Sequence, residues 1–403
     1  PQSLQLFSGF RGSGKTTELF RLRKQLQMQG GAVLYANALE YVNPAEPVEI
    51  SDLLMVLAGA FSDRLEELGI SIAEESFWKR FTGYLERTTL NVAEAAASVE
   101  ADSPAKEVLG GLKGGIELKL AVKETSSFRQ KLRQFLQNRL GELKAEVDAF
   151  VEEGVKAIRN KLGEDTPIVF IFDNLEQLRG SISNEQEVIR SVERVFASHL
   201  DKLRLPYVHM IYTVPPWLKF LLLGAKVEIL PTFRLWNNDE KRTRYPSGWD
   251  SMRKLVVRRL EPDGLTVLFG PEEGGQPLID ELIAASGGHF RDLFRLLQEM
   301  IVRVKTQTQS LPISAAVVES TVRRVREDYL PIPIEDALRL AEISKTRDCI
   351  LAAASPQEAA STSRLLDLHL VLYFSNGGDW YDIHPLICDE VERIVKRSQR
   401  KRT

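Results

Sequence analysis

The chain has 403 residues, with 53 Lys and Arg against 56 Asp and Glu for a formal charge of -3, and is 43% hydrophobic and 27% charged. That balance excludes a disordered, fibrous or polycationic chain, and the length provides for about two to four domains. Two cysteines, Cys349 and Cys388, are too few for a disulfide framework or a four-sulfur zinc site, so a reducing, cytoplasmic setting is expected.

The most apolar stretch, residues 217–223, falls far short of the ~20 residues that span a bilayer, so no membrane association is expected. Pro1 stands where a Met would and runs straight into apolar residues 4–7, so an upstream segment is expected. In chain order, residues 4–8 read as a strand and residues 9–14 as a glycine turn. Residues 16–29 then read as a helix through Leu19, Leu22 and Leu26, stopped at Gly30-Gly31. The apolar run 32–36 suits a buried parallel strand, and Ser51 is a candidate cap for a helix reaching Leu68.

Between about 70 and 165 the α/β alternation is interrupted. A helical piece carries Phe77, Phe81 and Leu85, and the Ala/Gly-rich residues 93–115 show no period and are expected to be mobile. Ile116, Leu118, Leu120 and Val122 alternate, as in a strand or an extended linker. From Phe128 to Leu162 the apolar residues step by threes and fours, which predicts one long amphipathic helix packed on the core.

Residues 168–172 and 207–213 read as two more buried parallel strands around a helix at 184–200. Beyond 271 the pattern is helical. A helix at 358–368, strands at 370–374 and 380–383 and the turn Ser375-Asn376-Gly377-Gly378 suggest a wing-like hairpin. The expected organisation is an α/β domain over 1–270 with a helical insertion at about 70–165, a helical domain over 271–340, and a winged-helix module over 341–403.

Gly9-Phe10-Arg11-Gly12-Ser13-Gly14-Lys15-Thr16 fits G-x-x-x-x-G-K-[ST] and lies between a strand and a helix, the context this motif requires. With glycine near ~7% of residues, chance yields it in only about one or two chains per hundred of this length. Inward-turned amides would cradle phosphate, Lys15 would reach the β- and γ-phosphates, and the Thr16 hydroxyl would hold Mg²⁺. Asp173, closing the apolar run 168–172, has the place of a carboxylate that completes the Mg²⁺ shell.

Asn174 follows Asp173, and an amide cannot take a proton from water. Glu176 is the nearest substitute base: it either turns back toward the γ-phosphate or is a solvated first-turn residue, and slow hydrolysis is expected. Thr213, at the end of its strand, is either a polar sensor of the γ-phosphate or a threonine bonded to backbone. Arg291 opens a helix after Gly287-Gly288, where the helix dipole disfavours a cation, which favours a phosphate contact.

These features together resemble P-loop ATPases of the AAA+ and STAND type, in which an α/β nucleotide domain is followed by a helical lid and a winged helix. The resemblance rests on residues Gly9 to Thr17, with Thr17 closing the Walker A motif, on Asp173 as Walker B, on Thr213 as first sensor and on Arg291 in a Gly-Gly-x-x-Arg lid motif. It implies ATP or ADP with Mg²⁺, and homo-oligomers or an effector protein as partner. It also implies that His384, in Ile383-His384-Pro385, contacts the ADP β-phosphate in a closed state; as a lone His-Pro it equally fits a helix cap or a core histidine.

Asn174 in place of a catalytic Glu, and the long insert between Lys15 and Asp173, depart from that pattern. Two functions follow from the resemblance: a slowly hydrolysing switch that couples nucleotide state to self-assembly, in signalling or defence against phage, or a DNA-binding initiator, loader or transposition regulator. The helix at 358–368 carries too little positive charge to read DNA, whereas Arg393, Lys396, Arg397, Arg400, Lys401 and Arg402 form a basic tail expected to be a disordered end or a nucleic-acid contact.

Overall fold

The computed structural model describes residues 2–70, 76–95, 115–181, 183–222, 224–306, 310–349, 362 and 364–400. Its core is a five-stranded sheet of order β2-β3-β4-β1-β5, formed by β1 (Leu4–Gly9), β2 (Ala32–Asn37), β3 (Ile168–Asp173), β4 (His209–Thr213) and β5 (Val227–Leu230). The β2/β3, β3/β4 and β1/β4 pairs are parallel. Burial on both sides explains the continuous apolar runs that mark these strands in the sequence. The short β5, whose Glu228 is exposed, carries no such run and escaped the sequence reading.

One face packs under α1 (Lys15–Met28): Leu19 joins Val33, Val169, Ile171 and Ile211, with Leu22 and Leu26 beside them. The alternate residues face the other way, as the two-residue period of a strand requires. There Phe170 meets Phe61 of α2 (Ile50–Glu67) at 5.9 Å, and Tyr212 meets Phe196 of α7 (Glu185–Ser198) at 6.2 Å between ring centroids. Nearly every residue of α2 from Ile50 to Ser62 is buried, so a second layer must cover its far side.

That layer is the helical insertion: α3 (Phe77–Ala95), α4 (Gly115–Glu124), α5 (Ser126–Leu136) and α6 (Leu140–Leu162). Three expectations change here. The alternating run at 116–122 is helical, because Leu118 and Val122 are the inward pair, four apart, while Leu120 is 49% exposed. The long helix is two, since the Arg139 N–H turns back to the Leu136 carbonyl at 2.9 Å before α6 begins. Both pieces bury their apolar sides, so the spacing continues across the break. Helix α2 is capped by Glu49 and Asp52 in a reciprocal box, with Ser51 inside the helix. Of residues 93–115, where mobility was expected, 93–95 end α3 and Gly115 begins α4, while 96–114 lie outside the described residues.

Contacts divide the chain into two compact units, residues 1–8 with 16–228, and residues 9–15 with 229–403. The second unit begins 42 residues before the expected boundary at 271, because α9 (Pro246–Phe269) shares a core with the helices that follow. Trp249, Met252 and Val256 of α9 pack with α10 (Glu272–Ser286), α11 (Phe290–Thr306) and α12 (Ala315–Glu327). A four-residue helix, α8 (Leu218–Leu221), precedes β5 in the first unit. Helix α13 (Ile334–Thr346), the antiparallel hairpin of β6 (Val371–Ser375) and β7 (Asp379–Ile383), and α14 (Cys388–Arg400) complete the second.

The hairpin matches the expected strands. Of the helix expected at 358–368, residues 358–361 and 363 lie outside the described residues, and 362 and 364–367 are helical. The basic tail is not a disordered end through Arg400, all of which is helical, and Lys401 and Arg402 lie outside the described residues. Among the described residues no helix is long and apolar enough to cross a membrane.

Candidate functional site

The glycine turn belongs with the second unit and is tightly wound, with the Ser13 N–H donating to the Phe10 carbonyl at 3.1 Å. Gly12 has φ +91°, and a Cβ there would stand 2.5 Å from the Arg291 Cβ, so only glycine lets the Arg291 side chain lie against the loop. Phe290 lies beside Gly14 less closely, with 3.8 Å to an added Cβ, an ordinary contact. Lys15 is buried and donates to the Gly9 carbonyl at 2.7 Å and the Phe10 carbonyl at 3.1 Å. The Ser13 hydroxyl is buried without a hydrogen-bond partner, an orphan that an incoming phosphate oxygen would satisfy. Arg11, Thr16, Thr17 and Arg291 are exposed.

In the first unit, β4 lies between β1 and β3 and brings Thr213 to the same edge as Asp173. Thr16, the first residue after the turn, donates its hydroxyl to Asp173 Oδ2 at 3.2 Å. Asp173 is fully buried and also accepts from the Tyr35 hydroxyl at 2.6 Å and the Asn174 N–H at 2.8 Å. Burial and the Asp173 carboxylate push the Tyr35 phenol up, which keeps it a donor. One hydroxyl and one carboxylate side by side are hard oxygen donors of the kind and number that Mg²⁺ takes from a protein when phosphates and water supply the rest. Thr16 and Asp173 would hold that ion.

Asn174 has φ +74°, a left-handed turn that asparagine tolerates. The turn sends the chain back, so that Glu176 is 8% exposed and accepts from the Thr213 hydroxyl at 2.7 Å. The same Thr213 oxygen accepts from the Asn174 N–H at 2.6 Å. Glu176 is therefore buried on Thr213 and not a solvated first-turn residue, and Thr213 is bonded to side chain and backbone together.

His384 is fully buried. Its Nδ1 accepts from the Leu386 N–H at 3.2 Å, and its Nε2 bonds Asp292 Oδ2 at 3.1 Å. Both ring nitrogens are thus held by protein, in the cap-and-core arrangement, and a phosphate contact would have to break one of these bonds. Asp292 also bonds His289 Nδ1 at 2.5 Å and the Tyr329 hydroxyl at 2.8 Å. Burial opposes ionisation of Asp292, but these hydrogen bonds hold its carboxyl well below the usual range, while burial pulls His384 below the ordinary histidine value.

Two contacts had not been singled out: in the first unit Tyr35 on Asp173, and in the second His369 accepting the Arg11 N–H at 3.0 Å. Only strand register could have found Tyr35, two residues before the Asn37 that pairs with Asp173. No sequence signal joins His369 to residue 11.

No family model and no curated protein matches the chain. Among solved structures, Cdc6p from Pyrobaculum aerophilum is 13% identical, over 98% of this chain and 88% of that chain, at TM-score 0.34. The ORC2 protein of Aeropyrum pernix, solved as ADPNP-ADP complexes, is 13% identical over 99% and 89%, at 0.33. A Walker-type ATPase of Pyrococcus abyssi is 13% identical over 97% and 91%, at 0.29.

Proposed function

We propose that this chain is a Mg²⁺-dependent P-loop ATPase of the AAA+ type. The observation that carries this reading is the hydrogen bond of Thr16 to Asp173, which places a hydroxyl directly after the phosphate-loop lysine beside a buried strand-end carboxylate. Mg²⁺, when bound with ATP, neutralises charge on the β- and γ-phosphate oxygens. Lys15 exchanges the Gly9 and Phe10 carbonyls for those phosphates, and Ser13 supplies its unpaired hydroxyl. Tyr35 fixes the Asp173 carboxylate. Glu176, oriented by Thr213, takes the proton of the attacking water; Arg291 contacts phosphate from the start of its helix.

Two finer readings share this core. A STAND-type switch for signalling or phage defence rested partly on a latch at His384, and that ring is enclosed and bonded on both nitrogens. An initiator, loader or transposition regulator acting on DNA draws on α14, where Arg393, Lys396, Arg397 and Arg400 are exposed at i, i+3, i+4 and i+7 and so share one helix face. We favour the second.

Nucleotide binding, turnover and assembly state, measured with and without duplex DNA, test both levels. Lys15→Ala should abolish ATP binding, Asp173→Asn should remove the Mg²⁺ dependence, and Glu176→Gln should bind ATP but slow turnover by about 10²-fold or more. Unchanged binding in Lys15→Ala would defeat the ATPase reading. ATP-driven assembly that ignores DNA would return the preference to the switch.

A further inference from the structure

The Phe10–Arg11 peptide is held from both ends within the second unit. Its carbonyl accepts from Lys15 Nζ at 3.1 Å and from the Ser13 N–H at 3.1 Å, while its N–H donates to His369 Nε2 at 3.0 Å. Because carbonyl and N–H lie in one rigid plane, the ring that fixes the N–H also fixes where the carbonyl, and with it the lysine ammonium, stands. We infer that His369, at the start of the C-terminal hairpin, is a positioning residue for the phosphate loop and for Lys15, an inference that deepens the nucleotide reading above and rests on it.

The surroundings are built for that ring. His369 is 8% exposed, its ring held between the Phe10 ring at 5.6 Å and the His289 ring at 5.0 Å, both near edge-on, and His289 is itself anchored on Asp292. Accepting at Nε2 requires the neutral ring with its proton on Nδ1. The backbone at His369 is left-handed, φ +59°, a conformation glycine or asparagine would adopt at less cost. The following residue, Leu370, accepts the His384 N–H at 2.9 Å, so the loop contact is continuous with the hairpin's own hydrogen bonds.

The geometry also supplies the controls. His369→Gly removes the acceptor while relieving the backbone, and His369→Gln keeps an acceptor oxygen that matches Nε2 in reach. In the full chain, with Mg²⁺-ATP and Mg²⁺-ADP as probes, the Gly variant should bind about fivefold more weakly, the loss of one positioning hydrogen bond. The Gln variant should stay near wild type. Amide hydrogen exchange over residues 9–14 without nucleotide should quicken in the Gly variant and stay protected in the Gln variant.

Wild-type affinity and exchange in His369→Gly would overturn the inference. So would a Gln variant that loses as much as the Gly variant with its melting midpoint intact. If the wild-type chain binds neither nucleotide, the functional reading and the role toward Lys15 both fail, while the exchange comparison still decides whether His369 orders the loop.

Discussion

Asp292 gathers two histidines and a tyrosine in an interior of the second unit, and the charges there have a direction. His384 has its proton affinity lowered by burial, so unfolded chains take up a proton first as the pH falls. Its contribution to stability is therefore present above about pH 6.5, the ordinary histidine value, and is lost as pH falls toward the folded value. Asp292 is also depressed, and its contribution is lost only in the more acid range below the ordinary carboxylate value. Chemical denaturation between pH 8 and 5 should show the first loss, and His384→Gln should flatten that slope even though its baseline stability is lower. An unchanged slope in the variant would assign the acid sensitivity elsewhere. At the same scale, Tyr35→Phe should weaken Mg²⁺-ATP binding by about three- to tenfold, the cost of one charge-assisted hydrogen bond to Asp173, and leave Mg²⁺-free ADP binding unchanged.

Among the elements, α2 depends on a single close approach. A Cβ at Gly59 would stand 2.2 Å from the Trp78 ring, which is 4% exposed, so Gly59→Ala must displace α3 from α2. Overpacking of this kind costs about 1–3 kcal/mol, and Trp78→Leu should recover part of it in a double-mutant cycle. Additivity of the two changes would mean that the helices part without strain. Helix α14 shows the opposite case, an exposed basic face whose Arg393 and Lys396 pair, among the described residues, with Glu390 and Glu392 on the same helix. Such exposed pairs are weak and yield readily to phosphate. If α14 meets DNA, log K should fall with log salt at a slope of at most about -3.6 for four phosphates. Replacing Arg397 and Arg400 with Gln should reduce the slope by about half, and an undiminished slope would exclude this face.

For the whole chain, two units with separate cores predict unfolding that is not two-state, with calorimetric enthalpy exceeding the van't Hoff value. Mg²⁺-ATP at about 100 times its Kd should stabilise the chain against unfolding by about 2.7 kcal/mol. A single transition with matching enthalpies would show that the units unfold as one.

The α/β core, the phosphate loop and the strand-end Asp173 were legible because each follows from local pattern: continuous apolar runs for strands buried on both faces, and glycines at set spacing between strand and helix. The sequence alone determined that Lys15 and Thr16 close a glycine turn between a strand and a helix, the pattern on which the proposed phosphate site rests. It misread residues 116–122 and the break at 137–139, because short apolar spacings look alike in helix and strand and continue across a turn. Only the tertiary structure decided that Asn174 turns Glu176 inward onto Thr213, that His384 is enclosed on Asp292, and that His369 meets Arg11. Those contacts join residues that strand order and chain reversal bring together from as far as 358 positions apart, and no local period records them.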